Sequence, residues 1–384
     1  MALLTTPLLL LALGSAVEWE IGALSEARAH GSASDGSTVS GSAEVELDPH
    51  LSGKVGGRSG DVAASYRPRL YLLTGSGETS LQVLQQGELA LQWRAAPGVR
   101  LFARERAAYG QTDLSPVSQP IIDPKAPLQA SPNGPLAYQM TETTAGLEAG
   151  LGKHSRLALS GGWLVSGGAN AAARVDLPLQ RGPLADLSVT ADVSRIDSVA
   201  TQLAATSAMF STGMRTTVGT AEELWTRSLG WGFGLRLGAG AGVTATRQGS
   251  AATSVLVLPV GEAGLSYKPT LRLQKLELSV AMRGAPVVDR LTGEAYEQVQ
   301  VDAAFAWAPV RIVKLNARLL IGVITTGVQK GGSLGALEVG AVLATGPIWS
   351  VGAGVRAARQ GAPQPFTDFG GFVNFTAVVN EKVL

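Results

Sequence analysis

The chain has 384 residues, 45% hydrophobic and 16% charged, with a formal net charge of +1. A near-neutral chain without basic runs interleaved with aromatics is no nucleic-acid binder. Absence of cysteine excludes thiol catalysis and Cys-based zinc sites, and no run of about twenty apolar residues exists for a spanning helix.

The N-terminus reads as an export signal. Residues 8–13 are an apolar core. Gly14-Ser15-Ala16 offers small residues at cleavage spacing, and Ala27-Arg28-Ala29 offers a second site. Residues 1–7 lack Lys and Arg, so the positive n-region is missing. The expectation is a signal over residues 1–29, cleaved after Ala16 or Ala29. Residues 30–42 are Ser/Gly-rich and read as a flexible lead-in. The expected barrel then covers residues 43–384.

From Asp61 to Val379 the pattern is about sixteen amphipathic stretches of roughly ten residues each. The clearest puts Val299, Val301, Ala303, Phe305 and Trp307 on one face and Gln300 and Asp302 on the other. Successive strand side chains alternate faces, so this is a strand with one apolar side. Residues 44–55 alternate in part and precede the turn-like Gly56-Gly57-Arg58-Ser59-Gly60. A hairpin there would raise the count to eighteen. In one segment Leu271 and Leu273 have the opposite parity to Leu276, Leu278 and Val280. Either a bulge near Gln274-Lys275 or a longer turn restores the register.

Tight connections are expected at Pro97-Gly98, Gly152-Lys153, Arg195-Ile196-Asp197, Leu229-Gly230, Lys268-Pro269, Ala308-Pro309 and Gly346-Pro347. They alternate with longer polar ones near residues 75–80, 110–135, 167–182, 211–215, 247–253, 286–294, 327–333 and 360–365. Short periplasmic turns alternating with long external loops mark an outer-membrane barrel. The longest loop, 110–135, is a candidate constriction, a cover for the mouth or a mobile segment.

Lipid on the apolar faces decides the class. Those faces carry almost no charge, and Arg or Lys facing the bilayer midplane costs roughly 2–4 kcal/mol. Trp93, Trp163, Trp225, Trp231, Trp307 and Trp349 lie near strand ends, as interfacial girdles do. The fold class is therefore all-β: a closed antiparallel transmembrane barrel of 16–18 strands, integral to a bacterial outer membrane, with outer-membrane lipid as its surroundings.

No enzyme is expected. His30, His50 and His154 are the only histidines, and His154 sits beside Ser155 at a periplasmic turn, the wrong end for a lipid hydrolase. No metal-ligand spacing and no cofactor motif appears; Gly230-Trp231-Gly232-Phe233-Gly234 alternates along a strand and precedes no helix. Functional signal lies in ionisable residues on the polar faces: Glu88, Arg94, Arg100, Arg104, Asp192, Arg236, Asp302, Lys314, Arg318 and Arg356. Such residues set the field that selects a permeant. The wall is mixed in charge and leans basic over residues 94–104 and 314–318.

Four strings carry a family resemblance: Tyr66-Arg67-Pro68-Arg69-Leu70, Tyr109-Gly110, Pro178-Leu179-Gln180-Arg181-Gly182-Pro183 and Pro286-Val287-Val288-Asp289-Arg290-Leu291-Thr292-Gly293. With these the chain resembles the porin-like outer-membrane barrels that partner short polysaccharide-export proteins in flippase/polymerase-type secretion. The resemblance implies eighteen strands, a periplasmic polysaccharide-export protein as partner, polysaccharide as permeant, and no catalytic residues. A general diffusion porin for small solutes and a non-transport adhesion or scaffold barrel are the alternatives.

Overall fold

In the computed structural model the described residues are 16–34, 40–75, 78–112, 136–269, 274–327, 330–361 and 365–383. They form one antiparallel sheet of nineteen segments. In chain order these are β1 (Ala16–Ser34), β2 (Ser40–Gly56), β3 (Gly60–Tyr66), β4 (Arg69–Gly75), β5 (Glu78–Ala96), β6 (Val99–Thr112) and β7 (Leu136–Gly150). Then come β8 (Ser155–Gly168), the helical turn α1 (Ala173–Asp176), β9 (Gln180–Asp192), β10 (Asp197–Phe210), β11 (Met214–Gly230), β12 (Phe233–Gln248) and β13 (Ser254–Tyr267). Last are β14 (Lys275–Val288), β15 (Ala295–Val310), β16 (Val313–Ile324), β17 (Ser333–Ala344), β18 (Trp349–Gln360) and β19 (Phe366–Val383). β1 pairs with β19 from Val17↔Val383 to Ser34↔Phe366, which closes the sheet into a barrel. Closure leaves no edge strand, the condition for spanning a bilayer with sheet.

β3 and β4 are two halves of one strand. Their pairing with β2 runs Leu51↔Tyr66 and then Leu47↔Leu70, a register that continues without slip. It places Pro49 opposite Pro68. The same holds toward β5, from Tyr66↔Gly87 to Arg69↔Leu84. Arg67 N–H donates to the Gln86 carbonyl of β5 at 2.9 Å, so by alternation position 68 faces β2. Both prolines thus spend their missing N–H groups on a single rung, and the ladder is interrupted only there. The barrel accordingly has eighteen staves.

The N-terminal expectation is corrected in part. Residues 30–34 end β1 and residues 40–42 begin β2, so neither belongs to a flexible lead-in; residues 35–39 lie outside the described residues. Glu26, Arg28 and His30 alternate with Ala27, Ala29 and Gly31, a strand pattern whose small outward residues imitate a cleavage site. Residues 17–29 pair on both sides, with β19 and with β2.

Short connections collect at one end of the barrel, together with the start of β1 and the end of β19. Two expected turns move. The one near Leu229-Gly230 is at Trp231 and Gly232, with φ of 55° and 87°, so Trp231 is a turn residue rather than the first residue of β12. Glycine suits such a left-handed position; tryptophan there is uncommon. The turn expected at Ala308-Pro309 is at residues 311–312, and Pro309 sits instead in a register shift between Trp307 and Val310, where its missing donor costs nothing. The parity slip after β13 is absorbed by a longer connection, since β14 begins at Lys275; Leu271 and Leu273 lie outside the described residues. So do residues 113–135, most of the longest expected loop.

The apolar face is the convex one. Val257 is 70% exposed, Leu81 66% and Val373 57%, whereas Glu44 and Asp48 are almost fully covered. Arg356 of β18 reaches over β19 to Glu26 of β1, and Arg283 of β14 reaches Glu222 of β11. Only side chains on the concave side can span non-neighbouring strands in this way. Toward the short-turn end the outer face carries aromatic pairs, Phe233 with Tyr267 at 4.3 Å and Trp349 stacked on Phe375 at 5.1 Å. Such a belt of exposed Val, Leu and Ile fits hydrocarbon, and the aromatic ends fit its interface. This is the structure of an integral outer-membrane barrel.

Candidate functional site

All ten ionisable residues expected to line the pore, from Glu88 to Arg356, share the inner face of their strands with the covered polar residues. They fall into separate groups around the wall.

The largest group spans β17, β18, β19, β1, β2 and the stave made of β3 and β4. Arg28 Nε donates to Glu26 Oε1 at 2.6 Å, and its other nitrogens engage Glu44 at 3.5 Å and Glu46. Arg69 binds Glu46 at 2.6 Å, and Arg67 Nε reaches both Asp48 oxygens at 2.7 Å. Arg356 joins Glu26 at 2.8 Å and Glu338 at 3.1 Å, and its guanidinium lies 4.2 Å above the Phe372 ring. His30 accompanies it, with Ser42 Oγ at 2.6 Å and Asp368 at 3.5 Å. A charge network so well covered holds only while every member is present, because a stranded charge costs several kcal/mol. The sequence singles out Arg356 without its partners: Glu26 falls in the span read as export signal, and parity alone does not bring Glu338 or the acids of β2 to it. The signal was present: Glu44, Glu46 and Asp48 alternate with Val45 and Leu47.

A second group crosses β5 to β7. Arg104 pairs with Glu88 at 2.9 Å, and Arg106 shares that carboxylate at 3.2 Å. Arg100 pairs with Glu148 across the rung. Arg94 has no side-chain partner among the described residues. A third group joins Arg236 to Glu262 at 2.8 Å and Arg283 to Glu262 at 3.1 Å. On β15 and β16, Asp302 and Arg318 meet at 2.7 Å. Asp192 and Lys314 have no side-chain partner among the described residues. Lys314 lines a cavity of about 510 Å³ with Lys275 and Arg311 near the short turns.

Two loops at the opposite mouth fold inward. Between β14 and β15, Asp289 Oδ1 accepts the Leu291 and Thr292 N–H groups at 2.6 and 3.2 Å, closing a tight turn. The turn is tied to β11 by Thr216, whose hydroxyl donates to the Gly293 carbonyl, and Gly293 lies against Phe210 and Met214. Gly293 has φ of 80°, and any Cβ there would strike those side chains. Between β8 and β9, α1 and its flanks bring Ala173 and Leu177 onto Leu136. Leu291 packs against that same cluster. Loops rooted six strands apart in the sheet therefore meet over the mouth. Most of the loop expected as a candidate constriction, residues 110–135, lies outside the described residues, and the Asp-x-x-Thr-Gly turn is a second inward element that length does not signal.

What such a wall can do is hold a wet, charge-paired surface open to a polar chain. Among the described residues no group of His, Cys, Asp and Glu has the arrangement of a metal site. Comparison with curated proteins finds no match. Among solved structures, the FrpB iron transporter from Neisseria meningitidis (F5-1 variant) is 11% identical with a TM-score of 0.56, covering 88% of this chain and 63% of that one. The OccK9 (OpdG) structure from Pseudomonas aeruginosa is 14% identical with a TM-score of 0.49, over 96% of this chain and all of that one. The former likeness is one of fold. The family profile of the EpsX exopolysaccharide export proteins matches residues 10–363. An eighteen-stave barrel with a paired polar wall, matched over that length, belongs to the EpsX exopolysaccharide export family.

Proposed function

We propose that the barrel is the passive outer-membrane conduit for a secreted or surface polysaccharide, which a periplasmic polysaccharide-export protein delivers to its short-turn mouth. The observation that carries this reading is the inner wall. Its charges are mostly neutralised in pairs such as Arg318–Asp302 and Arg236–Glu262, leaving a hydrophilic surface that a hydrated polymer can slide along. A wall of that kind offers many weak contacts, which conduction requires. Family membership supports a part in export. No catalytic step is needed, and the barrel acts by transport alone.

The test is surface polysaccharide in a deletion strain. Loss of it, restored by the gene in trans, supports the conduit; a normal polysaccharide coat sinks it. Uptake of small neutral sugars by reconstituted vesicles, with export unaltered in the deletion, would favour a diffusion porin instead.

A further inference from the structure

Arg94 of β5 stands directly opposite Arg100 of β6, both on the inner face. Like charges in that position destabilise a strand pair. Arg100 has its carboxylate on the far side, where Glu148 of β7 faces it, and its Nη1 donates to Gln92 at 3.2 Å. No acid stands between the two arginines. Arg58, in the turn after β2, and Arg156, at the start of β8, likewise have no side-chain hydrogen bond or ion pair among the described residues. The four arginines line one cavity of about 980 Å³ at the short-turn mouth, with Glu148 the only acidic residue in the lining and Ser188 and Thr190 beside them.

Elsewhere this wall matches arginine with acid. Arg104 and Arg106 share Glu88, Arg236 and Arg283 share Glu262, and Arg318 holds Asp302. Leaving Arg58, Arg94 and Arg156 unmatched, and setting one of them against another arginine, costs stability that a carboxylate at any neighbouring position would recover. Planar guanidinium forks bind carboxylates through two parallel hydrogen bonds. The geometry points to an anion-binding cleft at the periplasmic mouth, built by Arg58, Arg94, Arg100 and Arg156, that takes the acidic groups of the exported polymer. The substrate class is then an acidic polysaccharide, one bearing carboxylates such as those of uronic acids. This rests on the conduit reading. Arg94, Arg100 and Arg156 face the lumen, so the occupant threads the pore rather than sitting on its rim as a folded protein would. Ser188 and Thr190 supply hydrogen bonds for sugar hydroxyls next to the bound carboxylate. A basic mouth also concentrates an anionic chain where it must enter.

The experiment reconstitutes the full mature barrel in planar bilayers and adds oligogalacturonate, or a maltooligosaccharide of equal length, to each side in turn. Oligogalacturonate blocks the current from the short-turn side, and the block weakens as salt rises. The double variant R94Q/R156Q needs about tenfold more oligogalacturonate for half block, while its heat-modifiable gel migration, the sign of an intact barrel, stays as in the parent. Calorimetric titration of detergent-solubilised barrel with the same oligomers repeats the comparison if the outer loops hold the channel shut. Equal effects of the neutral oligomer, or an effect untouched by R94Q/R156Q, overturns the cleft. The two readings fail separately: a deletion strain with normal surface polysaccharide ends the conduit, whereas oligogalacturonate block in vitro would survive that result.

Discussion

Arg356 and Glu26 lie 2.8 Å apart although they are 330 residues apart in the chain. The contact passes over β19 and fastens β18 to β1 across the seam where the barrel closes. Glu26 also holds Arg28, so one carboxylate ties both sides of the seam. Both side chains are covered, and removing Arg356 leaves Glu338 without its arginine and Glu26 with Arg28 as its remaining arginine. Arg356→Ala is expected to lower barrel stability by about 3 kcal/mol. The measurement is the temperature at which the folded band disappears from unboiled gels; an unchanged temperature would show that lumen water replaces the contact.

The seam also bears on processing. Cleavage after Ala29 would remove residues that pair with both β19 and β2, from Val17↔Val383 to Ala29↔Gly371 on the first side. Cleavage after Ala16 leaves that ladder whole from Val17 onward. Mass spectrometry of the barrel extracted from outer membranes is expected to recover peptides from residues 17–29. Their absence, with His30 as the first residue, would mean that β2 and β19 close the barrel without β1.

Opposed prolines interrupt the stave made of β3 and β4. Replacing Pro68 restores one N–H facing the carbonyl of Pro49, and one such hydrogen bond contributes about 1 kcal/mol. Pro68→Val is expected to raise the urea midpoint of unfolding in lipid vesicles by a corresponding amount, valine also being the better strand former. A fall in the midpoint would show that the Arg67 and Arg69 positions on Asp48 and Glu46 depend on the break.

How much of this was legible follows from side-chain size and period. Strands such as β16, with Leu315, Leu319 and Ile321 against Lys314 and Arg318, announce themselves because large apolar and long polar side chains alternate. β1 does not, because its outer face from Ala23 to Ala33 is all small residues that lipid accepts and that export signals also use. The inner-face assignment of Arg94, Arg104 and Arg318 needed only parity. Their partners needed register, which depends on turns that a sequence places within a residue or two, as the shifts at Trp231 and Pro309 show. The meeting of Leu291 with Leu177 was out of reach, since it joins loops distant in sequence through the curvature of the closed sheet.

Among the described residues, Glu223 and Glu105 are acidic side chains on the outer face of strand interiors. Glu223 of β11 accepts from Thr201 at 2.6 Å and lies next to Trp225, near the interface. Glu105 of β6 accepts from Thr143 of β7 and sits halfway between Leu101, opposite Trp93, and Tyr109. That is the middle of the apolar belt, where ionisable groups are costly, though acids less so than bases. Glu105→Leu is expected to raise stability in vesicles by about 1 kcal/mol, with Glu223→Leu giving less because its carboxylate reaches the headgroups. A loss of stability in Glu105→Leu would show that the Thr143 contact outweighs lipid exposure.

The meeting of the two inward loops makes the narrowing of the outer mouth depend on a small apolar contact. Leu291 rests on the cluster of Leu136, Ala173 and Leu177, and burying one such side chain contributes about 2 kcal/mol. Thermal opening against a barrier of that size is frequent, so the contact acts as a latch rather than a plug. The chain has no cysteine, so paired cysteines can be introduced without background. In the Leu177→Cys/Leu291→Cys variant, a short flexible bis-maleimide is expected to lower single-channel conductance and to suppress its fluctuations, whereas Leu291→Asp alone is expected to raise the open fraction. Conductance unaffected by the crosslink would place the main path of the permeant beside these loops instead of beneath them.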